Sequence, residues 1–522
     1  MTDAFSNRQR VTKPAVVSAG GIVAAQSRPA AEAGAAVLAA GGNAVDAAVA
    51  TAFAVGVVEP WMSGIGGGGL LLHREAASGR VRAWDFGMRA PAALDPADYP
   101  IVEGADVDLF GWPLVKDSRN LRGGTAIAVP GQVAGMAAVL DTLGTISWEA
   151  ALAPATLLAE RGVPLDWFSL LQIAQHCGDL ARYPASAEVW LEKGLPPAAL
   201  HLPRHLPNPA LVATLRRLAE AGARDFYEGE LARRIAADVQ AAGGSLSLDD
   251  LRGYRAEEVT PLAVTHGAAT LHVLPELNGG PTLERAVARM RETWPGGPPD
   301  GAFFLAAAEA LREAFAHRLS EMGDEDGARG PSCTTHLSVI DRKGDMVTLT
   351  QTLLSVFGSK VTLPSTGMLM NNGINWFDPR PGRPNSLGPG KRTLSNYVPV
   401  LGVTPDRAFA IGASGGRKII PAMTQLGLML GVGGLSLEDA LHQPRIDVSG
   451  SERVAVDPRL DDSIKAALAA VQPTVEARWG VAPNNYSVVS AVLREGGRNY
   501  GAVDPFHPWA EAVAEEEVGE GA

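Results

Sequence analysis

The chain has 522 residues, 46% of them hydrophobic and 20% charged, which is enough apolar material for a large core and too little charge for global disorder. Forty-five basic against fifty-seven acidic residues give a net charge of −12 with no basic run, so nucleic-acid binding is excluded as a first reading. Two cysteines, Cys177 and Cys333, can build neither a disulfide framework nor a cysteine-rich metal site.

The first segment, MTDAFSNRQRVTKP, lacks the apolar stretch of a secretory signal, and a cytoplasmic protein is expected. Residues 28–58 read as two helices. Arg28–Ala40 ends at Gly41-Gly42, a helix stop, and Ala44–Val58 ends at Glu59-Pro60. Glu32, Asn43 and Asp46 interrupt this apolar stretch, so it predicts packed helices and no membrane span. Ser63-Gly64-Ile65 then leads into Gly66–Gly69, four glycines that permit close backbone approach. The run lacks the Lys-Ser/Thr of a phosphate-binding loop. Strands are predicted at Leu70–His73 and Val81–Phe86.

From Pro130 to about Gly323 a helical period dominates, with the clearest helices at Val133–Leu143, Trp148–Arg161, Pro209–Ala221, Glu228–Ala241, Leu283–Glu292 and Ala302–Met322. A polar linker, Asp324–Ser332, follows. Thr335–Ile340 and Met346–Leu353 then alternate with period two, joined by the turn Asp341-Arg342-Lys343-Gly344-Asp345. Further strands are expected near Met368–Met370, Val398–Val403, Phe409–Ile411 and Tyr486–Arg494, and helices at Ile419–Leu430 and Leu437–His442.

Pairing Asp341 with Asp345 and counting back puts Thr352 opposite Thr334, with Thr350 two residues along the same face. A one-residue slip would send both to the other face. A threonine freed at its amine carries both nucleophile and base, because the α-amine can take the hydroxyl proton. Yet Thr–Thr cross-strand pairs are ordinary, and on the hairpin alone a plain sheet pair is the simpler reading. Gly412-Ala413-Ser414-Gly415-Gly416-Arg417 sits between a strand and a helix, where backbone N–H groups can hold an oxyanion. A tight glycine turn is the more frequent explanation of such a pair, and Gly-Gly alone is weak evidence for an oxyanion hole.

Together these pieces resemble the γ-glutamyltransferase family of N-terminal-nucleophile hydrolases. The resemblance runs from Gly41-Gly42-Asn43-Ala44-Val45-Asp46 through Glu59-Pro60-Trp61-Met62-Ser63-Gly64-Ile65-Gly66, Val129-Pro130-Gly131, Phe226-Tyr227-Glu228-Gly229, Thr334-Thr335-His336, Asn371-Asn372, Lys391-Arg392 and Gly415-Gly416. It implies an α+β fold, a four-layer αββα sandwich. It also implies self-cleavage into a large subunit, 1–333, and a small subunit, 334–522, that stay together; a homo-oligomer of that pair stays open. It assigns Thr334 as nucleophile, Thr352 as its hydrogen-bond partner, and Gly415 and Gly416 as the oxyanion pair. Thr350, Ser395 and Asn396, the last in place of a second serine, fall near the substrate.

The departures concern the glutamyl head group. An arginine expected before Ala90-Pro91 is Gly87, with Arg89 two residues on. An expected asparagine is Leu354, the acidic position is Trp376, and a nearby glutamine is Gly373. Arg89 and Arg417 are the candidates for holding a substrate carboxylate. The run Asn371-Asn372-Gly373-Ile374-Asn375-Trp376-Phe377 resembles the divergent amidohydrolase branch of the family. The expected activity is a threonine amidohydrolase or acyltransferase acting on a small-molecule amide. Alternatives are a γ-glutamyltransferase or glutathione hydrolase with a remodelled pocket, an oxamate-amidohydrolase-like or cephalosporin-acylase-like enzyme, and a catalytically silent scaffold. Cys333 becomes the end of the large subunit, and His73 and His336 read as structural. With no HExxH or similar spacing, neither metal nor cofactor is expected.

Overall fold

A computed structural model describes residues 11–105, 110–198, 204–322, 332–449, 453–477 and 487–518. The polar linker from Asp324 lies outside the described residues up to 331. The turn after Ile340 fixes the centre of the fold. The Asp341 N–H donates to the Asp345 carbonyl at 3.0 Å, and Gly344 supplies the left-handed backbone with φ +92°. From that turn the ladder runs Ile340↔Met346 to Thr335↔Gln351, as the count from Asp341 and Asp345 predicts.

Period-two alternation then separates two environments. Leu337, Val339, Val347 and Leu349 enter an apolar cluster with Val45, Ala48, Val49, Ala52 and Phe53 of helix Ala44–Val58. That helix starts at a reciprocal cap. Asn43 accepts the N–H groups of Val45 and Asp46, and the Asp46 carboxylate accepts the Asn43 N–H at 2.9 Å. The opposite side chains, His336, Ser338 and Thr348, meet a second sheet. There Ser338 donates to the Ser490 carbonyl at 3.3 Å and Thr348 to the Ile411 carbonyl at 3.2 Å.

Among the described residues each of these two sheets has seven antiparallel strands. The first runs Glu511–Ala514, Ile22–Ala25, Ser332–Ile340, Met346–Ser355, Gly68–Arg74, Val81–Phe86, Glu257–Val259. The second runs Val16–Ser18, Arg498–Val503, Val488–Glu495, Arg407–Ser414, Val400–Val403, Ala269–Val273, Leu262–His266. Helices Arg28–Ala39 and Ala44–Val58 cover the first sheet. Helices Gly280–Thr293 and Ile419–Gly431 cover the second, with Gly301–His317 packed on the former. This is the four-layer αββα sandwich. No described helix is long and apolar enough to cross a membrane.

Several boundaries differ from the sequence expectation. Residues 130–323 are not helical throughout, since Val163–Leu165, Arg204–Leu206, Glu257–Val259, Leu262–His266 and Ala269–Val273 are strands. The last two form the edge of the second sheet, where pairing outweighs weak local propensity. Met368–Met370 forms no strand and contributes a lone bridge, Thr362↔Leu369. The helix read as Ala302–Met322 ends at His317 and widens into a π turn over Arg318–Met322.

Glu59 follows helix Ala44–Val58 and is only 4% exposed. Burial, then the charge of Asp166, push its carboxyl up to about 8, and the neighbouring Thr335 hydroxyl opposes this in part. Between pH 4.5 and about 8 the folded protein therefore holds a proton that the unfolded chain releases, so raising the pH through that window favours unfolding. Replacing Glu59 by Gln removes this term. The stability of Glu59→Gln relative to wild type should rise with pH from 5 to 8 by at most roughly 1.4 kcal/mol per unit, then level off. Denaturation midpoints at each pH measure it; a constant difference would place the Glu59 carboxyl in the ordinary range.

Candidate active site

The regular ladder breaks at Thr334. After Thr335↔Gln351 the next pair is Cys333↔Leu354, so Thr352 and Leu353 together oppose Thr334 in a β-bulge. The bulge turns two hydroxyls onto one carbonyl. Thr334 donates to the Cys333 carbonyl oxygen at 2.5 Å, Thr352 donates to the same oxygen, and the two hydroxyl oxygens are 3.4 Å apart. Thr352 Oγ1 in turn accepts the Leu354 N–H at 2.8 Å. Both threonines are buried.

Backbone contacts from distant segments hold the bulge. Leu353 N–H donates to Met62 O at 3.1 Å, and Asn372 N–H donates to Leu353 O at 3.1 Å. The Asn372 side chain brackets Ser355, accepting its N–H at 3.0 Å and donating to its hydroxyl at 2.8 Å. Trp61 O accepts both the Phe357 N–H at 2.9 Å and the Cys333 thiol at 2.6 Å. The glycine run supplies the close approach: a Cβ on Gly67 would lie 2.2 Å from the Thr352 carbonyl oxygen, and one on Gly69 2.3 Å from that of Thr350. Leu354, Phe357 and Lys360 take φ of +85°, +59° and +66°, so strained backbone is concentrated just after the bulge.

Thr350 lies on the Thr334 face, as expected, and its hydroxyl is engaged with His336 Nδ1 at 2.9 Å. His336 Nε2 meets Ser338 Oγ at 3.0 Å and Thr348 Oγ1 at 3.3 Å. Burial pushes this imidazole down to about 3, so it is neutral and acts as a hydrogen-bonding bridge between hydroxyls. Gly412 makes room for it, since a Cβ there would sit 2.2 Å from the ring.

Strand Arg407–Ser414 ends at Gly415 and Gly416, with φ of +143° and +58°. The short turn Gly416–Lys418 packs against strand Ser332–Ile340 and leads into helix Ile419–Gly431. This brings the glycine pair to the strand that bears Thr334. Arg417 is 7% exposed and lies 5.7 Å from the Phe110 ring centre. Arg89 is placed differently: its guanidinium pairs with Glu257 and lies over Tyr254, while its backbone bridges Val129. A nearby arginine, Arg392, pairs with Asp85, Glu257 and Glu276. Trp376 is buried edge-to-face against Tyr397, ring centres 5.6 Å apart.

Ser395 and Asn396 are tied to the Leu277–Gly279 segment. Ser395 N–H donates to Leu277 O at 3.0 Å, and Gly279 N–H donates to Tyr397 O at 3.1 Å. Sequence reasoning missed the residue that locks this arrangement, Arg318, whose guanidinium donates to the Asn278 carbonyl at 3.0 Å, the Ser395 carbonyl at 2.8 Å and Asn396 Oδ1 at 2.7 Å. It missed Trp61 as well, whose role is carried by its backbone carbonyl. Among the described residues no group of three or more His, Cys, Asp or Glu is placed to hold a metal ion.

Residues 30–333 and 328–514 match the family described as Gamma-glutamyltranspeptidase. The Acylase ACY 1 proenzyme of Pseudomonas sp. (strain SE83) is 32% identical over 500 residues, covering 88% of this chain and 87% of that protein. The glutathione hydrolase proenzyme of Escherichia coli (strain K12) is 28% identical over 484 residues, covering 81% and 80%. The crystal structure of cephalosporin acylase from Bacillus halodurans superposes with a TM-score of 0.83 over 98% of this chain and 99% of that one; at 24% identity it speaks to the fold. The chain therefore belongs to the gamma-glutamyltranspeptidase family, as an enzyme of the Ntn-hydrolase-fold amidohydrolases and acyltransferases.

Proposed function

We propose that the protein is a self-processing threonine amidohydrolase of the acylase type, with Thr334 as nucleophile. The observation that carries this is the pair of hydroxyls on the Cys333 carbonyl. In maturation, Thr334 Oγ1 attacks the Cys333 carbonyl carbon while the Thr352 hydroxyl donates to the oxygen that gains charge. The hydroxyl proton passes to the Thr334 nitrogen as the peptide C–N bond breaks, which frees the α-amine and leaves Cys333 as an ester on Thr334. Water then cleaves the ester, giving a Cys333 carboxylate and the free Thr334 hydroxyl. The fragments 1–333 and 334–522 stay together because strand Ser332–Ile340 pairs with Ile22–Ala25, and Met346–Ser355 with Gly68–Arg74.

In turnover the α-amine takes the Thr334 hydroxyl proton and the oxygen attacks the substrate amide. The Gly415 and Gly416 N–H groups receive the oxyanion. The proton passes to the leaving amine, and water releases the acid from the acyl-threonine. His336 is not the base in this scheme, because both its ring nitrogens are engaged and burial disfavours the imidazolium it would have to become.

The acylase reading is favoured over a γ-glutamyl one for two reasons. Gly87, Leu354, Gly373 and Trp376 offer no acidic or amide side chain to a glutamyl head group, and the Pseudomonas acylase is more similar than the Escherichia glutathione hydrolase. Thr352→Ala should slow both cleavage and turnover by roughly 10²-fold, the worth of one oxyanion donor; unchanged rates would remove Thr352 from the mechanism. Steady-state kinetics should give a lower kcat/KM for glutathione than for a glutaryl or oxamate amide lacking the α-ammonium group. A glutathione value of about 10⁴ M⁻¹s⁻¹ or more, with no better amide, would return the protein to the γ-glutamyl class.

A further inference from the structure

Gln26 is buried one residue beyond strand Ile22–Ala25, whose pairing Ala25↔Leu337 carries it alongside the strand that bears Thr334. Its side chain crosses to the second sheet. There Nε2 donates to the Ser414 hydroxyl at 2.6 Å and to the Val488 carbonyl at 3.1 Å. Ser414 and Val488 are themselves paired, at the end of the ladder between their two strands. A carbonyl only accepts, so the bond to Val488 decides which end of the amide points that way. Among the described residues the other end, Oε1, is buried with no partner. A buried acceptor without a donor costs stability, and an apolar side chain of the same size would avoid that cost.

Beyond Ser414 that ladder stops, and Gly415 and Gly416 take φ of +143° and +58°. Glycine reaches such angles without strain and reaches others as readily, so the turn needs an anchor outside itself. We infer that Gln26 is a positioning residue for turnover, whose bond to Ser414 sets the place of the Gly415 and Gly416 N–H groups relative to Thr334. The bond joins the sheet that carries Thr334 to the residue just before Gly415. It also spans the cut, since Gln26 belongs to fragment 1–333 and Ser414 to fragment 334–522. This inference rests on the reading above, in which the glycine turn receives the oxyanion of turnover and Thr352 serves that of self-cleavage. Gln26 should therefore matter to turnover and not to cleavage, a split that Thr352 should not show.

The test uses purified wild type, Gln26→Met, Ser414→Ala and the Gln26→Met/Ser414→Ala double variant. Substrates are acetyl, glutaryl and γ-glutamyl p-nitroanilides, and variants are compared on whichever amide wild type turns over fastest. Gln26→Met removes both bonds at similar volume. Ser414→Ala removes only the bond at the root of the turn, and it decides the question if Gln26→Met fails to fold. Intact mass during cell-free synthesis times the cut, and turnover is expressed per cleaved molecule. Each single variant should be cut within about threefold of the wild-type rate and keep KM within about threefold, while kcat falls about tenfold, the mark of an interaction used in the transition state. That loss stays below the roughly 10²-fold expected for losing an oxyanion donor outright. The double variant should lose no more than Gln26→Met alone. Wild-type kcat in Ser414→Ala overturns the inference alone. So does a loss carried by KM, or one that slows cutting and turnover alike, as general loosening would. A fully cleaved wild type that turns over neither these anilides nor any other amide overturns the amidohydrolase reading, and this inference with it.

Discussion

Two hydroxyls on one carbonyl oxygen are the constraint from which the rest of the site follows, and backbone geometry holds them there. A regular ladder would continue past Thr335↔Gln351 and set Thr352 squarely across from Thr334. The bulge inserts one residue, drops the Thr352 hydroxyl onto the Cys333 carbonyl and hands the Leu354 N–H to the same hydroxyl. The extra length is absorbed just beyond, where three non-glycine residues between 354 and 360 take left-handed backbone. Such conformations cost of order 1–3 kcal/mol each and persist only where the surroundings fix them. Here Trp61, Met62 and Asn372 do so.

The same economy of space runs down the interface between the sheets. Much of that interface is apolar, but along His336, Ser338, Thr348 and Thr350 it is a chain of small hydroxyls around one neutral imidazole. A chain of this kind is costly where a member lacks a partner and rigid where each has one. His336 can link three hydroxyls because Gly412 leaves the volume a side chain would take. The result is a stiff bed beneath Thr334, the proposed nucleophile, with the Gly415–Gly416 turn carried on the facing sheet.

Much of this was legible in the sequence where the signal is local. The helices Trp148–Arg161 and Pro209–Ala221, read from the helical period, have those limits in the structure, where Ser147 and Asn208 cap their starts and glycines follow their ends. The Asp341–Asp345 turn gave the register of the central hairpin as far as Thr335↔Gln351; the expected pairing of Thr334 with Thr352 gives way to the bulge, which still leaves the two hydroxyls 3.4 Å apart. What escaped was set by distant parts of the chain. The bulge depends on how near Gly67 and Gly69 come to another strand, and no property of residues 332–355 announces it. The strands Leu262–His266 and Ala269–Val273 were hidden in a region of helical period. Arg89, chosen as a carboxylate ligand by its place in the chain, is drawn off by Glu257, while Arg318, passed over, is the arginine that reaches the Ser395–Asn396 segment.

The central claim is that Thr334 cuts the chain before itself and then serves as nucleophile. Intact-mass spectrometry of the purified protein under denaturing conditions addresses it directly. Two polypeptides with the masses of residues 1–333 and 334–522, and one uncut chain for Thr334→Ala, are the predicted result. A wild-type chain that stays whole while hydrolysing amides, or a Thr334→Ala chain that is cut at the same bond, would contradict the account.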